Sequence, residues 1–306
     1  MLQAKEALER VLGTVPPLGV ERIPLSVCLG RVLAEEVFAR MGPRPSGGSA
    51  LLCRGVRLGP LEIARLASRG VAETTAALRP RLALLSTGSE LISVAQPAVP
   101  GKTWDSNGPS LAAAGEVAGV QAVDYGIVPD DVEKLLAIAT HAAGRSDILL
   151  VSGGVSRGDQ DTTCQALDRL GTRTVFHGVA IKPGQSLLFG MCGSTAVFGL
   201  PGDPMSAWVC FEEFVRPAIE KMQGAEPRDL WTHVGKAAGA FTPGDELQHY
   251  LFCRSRREDR GYELEILFPR SFPDIAAAVR ADALAVVPAG TTQVRPGDEL
   301  RFRWIV

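Results

Sequence analysis

Apolar residues recur at helical spacing from Ala4 to Leu12 and again from Leu25 to Val37, after Pro24, which predicts two amphipathic helices at the start of the chain. The stretch MGPRPSGG, Met41 to Gly48, follows them with two prolines and three glycines and predicts a connector. Pro60 to Arg69 predicts a further short helix, closed by Gly70. From Arg81 the pattern changes. LALLS, QAVDYGI and DILLVS are short apolar runs that alternate with helical stretches around Pro109–Ala118, Asp130–Ala143 and Asp161–Leu170. Strands without polar alternation, separated by helices, call for a parallel sheet covered on both faces. A long helix then runs from Pro204 to about Met222, with Asp203 suited to its N-cap and Pro204 to its first helical position. After Gly224 helical periodicity ends, and HYLFCR, GYELEILF, ALAVVPAG and ELRFRWIV stand between Gly, Pro and Asp turns.

The expected architecture is therefore α/β. A helical N-terminal segment (1–79), a doubly wound, mostly parallel α/β domain (80–225) and a small C-terminal β-barrel-like domain (226–306) follow one another, without internal repeats.

Composition narrows the possibilities. A chain of 306 residues that is 46% hydrophobic and 22% charged has enough apolar content for two or three folded domains. Its net charge of -2 provides no general attraction to nucleic acid or to a membrane, so neither is expected as a partner and any anion site must be local. The start, MLQAKEALERVL, carries acids and no long apolar run; it reads as neither signal peptide nor span, and a cytoplasmic location is the default expectation. The six cysteines include no CxxC pair and read as reduced core thiols, and the four histidines have no ligand-like spacing.

Five turns carry possible chemistry, and each also has a plain structural reading. In LLSTGSEL, Thr87 and Ser89 offer hydroxyls, Gly88 allows close backbone approach, and Glu90 can contact a metal or a ligand amine; the same residues can simply cap a strand-to-helix turn. In WDSNGPSL, Asp105, Ser106 and Asn107 either cap a helix or present donors and acceptors to a heterocycle. In SDILLVSGGVSRGDQD, Ser152, Gly153, Gly154 and Ser156 form a turn able to nest an anion. Asp159 and Asp161 add carboxylates there, which an anion tolerates only with a cation between them. In VAIKPGQSLLFG, Lys182 stands before a Pro-Gly turn as a point charge for phosphate or an oxyanion, or as a solvated surface lysine. In FGLPGDPMSAW, Pro201, Gly202, Asp203 and Ser206 surround a helix N-terminus suited to an anion, although Asp203 opposes one unless it is used up as the cap. Five such turns after strands of one domain point to one ligand-binding rim. HExxH, GxxxxGK[ST] and GxGxxG are absent, which argues against zincins, P-loop enzymes and dinucleotide dehydrogenases.

In their order and wording, LLSTGSEL, WDSNGPSL, GIVPDD, SDILLVSGGVSRGDQD, VAIKPGQSLLFG and VFGLPGDPMSA resemble the MoeA family, the molybdopterin molybdenumtransferases related to the C-terminal part of gephyrin. The resemblance implies an enzyme of molybdenum cofactor biosynthesis that takes adenylylated molybdopterin and molybdate, with Mg2+, and releases cofactor and AMP. It implies a homodimer and a molybdopterin adenylyltransferase as a partner. It places Glu90, Asp161 and Lys182 at catalytic positions, with Glu90 and Asp161 also as metal ligands, and the remaining turn residues around the pterin.

The departures from the family pattern are specific. An inserted domain is lacking after Met41, the acid of a PxFDxSAMDGYA-like segment falls near Leu52, and that of an RGED-like motif falls at or near Arg57. TGDEL has become TGSEL, PGKP has become PGQS with Gln185 in place of a cation, and LPGNP has become LPGDP. Three outcomes are open: a molybdenumtransferase of reduced architecture, a pterin-binding carrier or sensor that does not insert metal, or a nucleotide-cleaving enzyme on the same α/β scaffold, against which the N-terminal and β segments count.

Overall fold

The computed structural model describes residues 1–38, 50–155, 161–225, 230–259, 261–267 and 275–305. The first helix, α1 (Ala4–Thr14), buries Ala7 and Val11 in the main core, where it packs on the last helix of the α/β domain. Strand β1 (Val20–Pro24) pairs antiparallel with β2 (Glu73–Ala77), and α2 (Pro60–Ala67) lies between them in sequence. Ile23, Cys28, Leu33, Leu58, Leu66, Val71 and Ala76 form a separate small core under this unit.

The helix expected over Leu25 to Val37 does not form. Only a 3-10 turn, Leu25–Val27, is present, and the chain then forms bridges Val32 to Arg57, Leu33 to Ala76 and Val37 to Leu52. Gly30 adopts a left-handed φ of 74°, which ends any helix there, and the apolar spacing serves extended segments wrapped around the β1–β2 pair.

The α/β domain comprises β3 (Arg81–Thr87), a short pair β4 (Leu91–Ile92) and β5 (Thr103–Trp104), α3 (Asn107–Ala118), β6 (Gln121–Val128) and α4 (Val132–Ala143). It continues with β7 (Ile148–Ser152), α5 (Thr162–Arg169), β8 (Arg173–His177), β9 (Ile181–Lys182), β10 (Leu188–Cys192) and β11 (Thr195–Leu200). The closing helix is continuous from α6 (Pro204–Cys210) through a π-helical turn (Phe211–Val215) to α7 (Arg216–Met222). The main sheet has the order β6-β3-β7-β11-β10-β8; β6, β3, β7 and β11 are parallel, and β10 runs against both of its neighbours.

The uninterrupted apolar runs have a direct cause. Leu82, Leu84, Ile148 and Leu150 face α3 and the π-helical turn, while Ala83, Leu85, Leu149 and Val151 face α4 and α5, so every residue of β3 and β7 in that span is buried on one side or the other. In register, Ser86 of β3 and Leu200 of β11 both stand beside Ser152 of β7, so the turns leaving these strands begin at one level.

The C-terminal unit contains β12 (His233–Ala237), β13 (Gln248–Glu258), β14 (Gly261–Ile266), α8 (Ile275–Arg280), β15 (Ala283–Val287) and β16 (Glu299–Trp304). The order β14-β12-β16-β15-β13, closed by pairing of β13 with β14, makes a small barrel filled by Cys253, Leu264, Leu300 and Phe302. The barrel is joined to the α/β domain by backbone, because β9 adds to it in parallel beside β13. All six cysteines are free thiols. Cys28, Cys210 and Cys253 are core residues as expected, whereas Cys53 is exposed because it sits on the surface stretch after Leu52. No helix among the described residues is long and apolar enough to cross a membrane.

Candidate functional site

The carboxyl ends of β3, β7 and β11 open onto a cleft of about 740 Å³. Two glycines shape its floor. Gly153 has φ 99°, and a Cβ there would lie 2.2 Å from the Thr87 carbonyl oxygen; Gly154 has φ 60°, and its Cβ would meet Thr163 Oγ1 at 2.4 Å. The β7 turn is therefore pressed against the end of β3 as only glycine permits. Thr163 Oγ1 donates to the Gly153 carbonyl (2.9 Å), and Gly153 N–H donates to the Leu200 carbonyl (3.0 Å), which ties the floor to α5 and β11.

The TGSE turn is held by Asp130. Its carboxylate accepts from Ser89 N (2.8 Å) and Thr87 Oγ1 (3.3 Å), and Asp130 N donates back to Ser89 Oγ (3.1 Å). The neighbouring Asp131 caps α4 through Lys134 N, and that backbone hydrogen bond holds its carboxyl below the usual value. Glu90 lies on the cleft with its carboxylate folded against the Gly88 backbone.

Helix α3 starts at Asn107, two residues before Pro109, because Asp105 Oδ1 accepts from Gly108 N (3.0 Å) and so satisfies the first turn. Ser106 occupies the N-cap position without a side-chain cap bond and faces the cleft. Asn107 is buried; its Nδ2 donates to Ser152 Oγ (2.7 Å) and to the Gly202 carbonyl (3.0 Å). Both Nδ2 hydrogens are thus used, and among the described residues Asn107 Oδ1 has no donor. Asp161 is the N-cap of α5, accepting from Thr163 N (3.1 Å), and it also lines the cleft. Ser156 and Asp159 lie outside the described residues.

Most of the candidate residues thus gather in one place: Thr87, Gly88, Glu90, Asp105, Ser106, Asn107, Ser152, Gly153, Gly154, Asp161 and Gly202 line the cleft. Four other described candidates do not. Lys182, Pro201 and Ser206 line a separate recess of about 500 Å³ on the other side of the Pro201–Ser206 turn, whose Gly202 and Pro204 face the cleft. Asp203 serves as the cap of α6: its Oδ2 accepts from Ser206 N (2.9 Å) and Ser206 Oγ (2.5 Å).

Lys182 Nζ donates to Asp245 Oδ2 (2.9 Å), a residue of the barrel, and Asp245 Oδ1 is bound by His249 Nε2 (2.8 Å) and Leu247 N (3.1 Å). No local motif around Asp245 announces this role, which arises only because β9 pairs with β13. Trp104, Leu91 and Ile275 also line the cleft and are not among the sequence candidates, because apolar side chains carry no hydrogen-bonding or charge signal of their own.

Near the two places where the resemblance expects acids, Leu52 packs on the small N-terminal core. Arg57 donates to the Gly30 carbonyl and to Gln223 Oε1, both at 2.8 Å, and so fastens the N-terminal unit to the α/β domain. Among the described residues no group of three Asp, Glu, His or Cys side chains gathers as a metal cluster.

The family described as "Probable molybdopterin binding domain" matches residues 83–221. A Nostoc sp. protein named "Molybdopterin molybdenumtransferase" is 30% identical over 318 residues, covering 98% of this chain and 72% of that protein. A Haemophilus influenzae protein of the same name is 35% identical over 232 residues, covering 72% of this chain and 57% of that one. A Staphylococcus epidermidis relative, again of that name, is 28% identical over 268 residues, and this chain spans 63% of its length. Among solved structures, a "molybdopterin biosynthesis moea protein" from Pyrococcus horikosii superposes with a TM-score of 0.84 at 20% identity, covering 99% of each chain. A second Pyrococcus horikoshii MoeA structure gives 0.80 at 18% identity over the whole of both chains. At these identities the structures establish a shared fold.

Proposed function

The chain belongs to the molybdopterin molybdenumtransferase family, and from that premise we propose that its cleft binds adenylylated molybdopterin and that the chain inserts molybdate into it with release of AMP. The observation that carries this reading is Asn107. A buried acceptor left without a donor costs about 1–3 kcal/mol, and a ring N–H or amino group of a pterin would satisfy it. Because the partners of Asn107 Nδ2 are a hydroxyl held by β7 and a carbonyl of the Pro201–Ser206 turn, the acceptor is fixed before the ligand arrives.

The two glycines of the β7 turn line the cleft, and backbone of this kind supports a phosphate-bearing substrate. The donor set fits Mg2+, which takes one or two carboxylates together with substrate phosphate oxygens; Glu90 and Asp161 are the cleft carboxylates that would hold it. When bound, the ion supplies positive charge that offsets the pyrophosphate. Asp161 then has two tasks, since its carboxylate also orients the first turn of α5. Lys182, across the shared turn, anchors anionic groups from the recess. The exposed Val20, Val27, Leu29 and Phe38 of the N-terminal unit support a homodimer, with a second copy covering that face. A cytoplasmic location and supply of the substrate by a molybdopterin adenylyltransferase complete the reading.

The test is a titration of the purified chain with molybdopterin, followed by turnover of adenylylated molybdopterin with molybdate and Mg2+, read as AMP and as active cofactor. Asn107→Leu is expected to weaken pterin binding by about ten- to a hundredfold. Absence of pterin affinity in the wild type overturns the reading. Binding without AMP release makes the chain a carrier, the outcome suggested by Leu52 and Arg57, which contribute a packing side chain and a tether where relatives of the resembled pattern have acids.

A further inference from the structure

The recess on the barrel side of the Pro201–Ser206 turn is lined by Lys182, Gln185, Ser186, Ser206, Leu247 and Asp245 among others, and Lys182 and Asp245 are the charged side chains in that lining. They are bound to each other. The ammonium that would attract an anion is therefore neutralised by a carboxylate 2.9 Å away, and an anion reaching Lys182 also approaches that carboxylate.

Asp245 is not a casual surface partner. His249 is buried, stands opposite Lys182 in the β9–β13 register, and turns its Nε2 to Asp245 Oδ1, while Phe241 packs edge-on against its ring. Leu247 N–H fixes the same oxygen. These donors, with Lys182 first among them, hold the Asp245 carboxyl down to about 2, so it is ionised at neutral pH.

We propose that Asp245 attenuates anion binding: by holding Lys182 in an ion pair across the domain junction, it lowers the affinity of the recess for small oxyanions. This rests on the reading that Lys182 anchors anionic groups for the reaction proposed above. The barrel thereby sets how readily the α/β domain takes its oxyanion.

The test is calorimetric titration with sodium molybdate alone, at low ionic strength, for wild type, Asp245→Asn, Lys182→Met and the double variant. Asparagine keeps an oxygen for Leu247 N–H and His249 but removes the charge. Asp245→Asn is expected to tighten molybdate binding about tenfold, a value discounted for the partial exposure of the pair, and Lys182→Met to abolish the gain in the double variant. Unchanged or weaker binding in Asp245→Asn, or a gain that persists without Lys182, overturns the proposal. Should Asp245→Asn fail to fold, Asp245→Ser makes the same charge change and is read the same way. A parallel titration with molybdopterin separates the two readings: loss of pterin affinity in the wild type defeats the proposed function, while the molybdate comparison alone decides the role of Asp245.

Discussion

The cleft at the ends of β3, β7 and β11 and the recess around Lys182 share one wall, but they are held together by different forces. In the cleft, shape comes from backbone sterics at Gly153 and Gly154 and from short-range hydrogen bonds through Asp130, Asp105 and Thr163, all within one domain. In the recess, the central contact joins two domains and is an ion pair. A site of the first kind is rigid and nearly indifferent to salt, and a site of the second kind responds to charge, ionic strength and the seating of the barrel.

The largest expected effect separates the two directly. Gly153→Ala places a methyl 2.2 Å from the Thr87 carbonyl oxygen at a φ of 99°, which should cost about 3 kcal/mol or more and remove pterin binding while molybdate binding in the recess survives. Urea unfolding and the two titrations measure this; an unchanged midpoint would break the claim that glycine sterics build the cleft. Next comes Arg303, buried on β16 between Glu212 and Glu213 of the π-helical turn (3.2 Å to each) and over the rings of Trp208 and Trp231. Burial pushes the Glu213 carboxyl up, and Arg303 is foremost among the groups that oppose this, ahead of hydrogen bonds from Tyr250 and Trp231. Arg303→Met should cost about 3 kcal/mol, loosen the barrel and weaken the recess more than the cleft. Equal loss of both affinities would show that the cleft also depends on the barrel.

The smallest effect is electrostatic. The Asp245 carboxyl is depressed from 3.8 to about 2, so the stability it contributes is complete above its unfolded value and disappears as pH falls through about 2. Denaturation midpoints of the wild type should accordingly fall more steeply than those of Asp245→Asn between pH of about 4 and about 2. Parallel curves would mean that the ion pair contributes little to folding, which is the usual fate of a partly exposed pair.

Much of this arrangement was legible in the sequence, for reasons particular residues make clear. The runs LALLS and DILLVS announced a sheet buried on both faces because every position in them faces a helix. The turns after β3, β7 and β11 could be read because each follows such a strand directly, so that their glycines, hydroxyls and acids fall at one sheet edge. The segment Leu25–Val37 was misread because helical spacing of apolar residues is also produced by an extended chain that wraps a small core and turns at Gly30. The division of the five turns between a cleft and a recess was not legible either: Pro201 and Gly202 are adjacent, yet they face opposite sides of one wall.

By itself, then, the sequence determined the alternation of strands and helices, the glycines at the β7 turn and the chemical groups available at the sheet edge, because these depend on residues close together in the chain. Tertiary structure decided which groups remain available for a ligand. Among the described residues Asn107 Oδ1 has no donor although its Nδ2 hydrogens go to Ser152 and Gly202, Asp203 gives Oδ2 to the first turn of α6, and Lys182 is neutralised by an acid of another domain. Hydrogen-bonding capacity and charge are spent on whatever lies nearest in space, and that proximity is set by packing and strand pairing rather than by position in the chain.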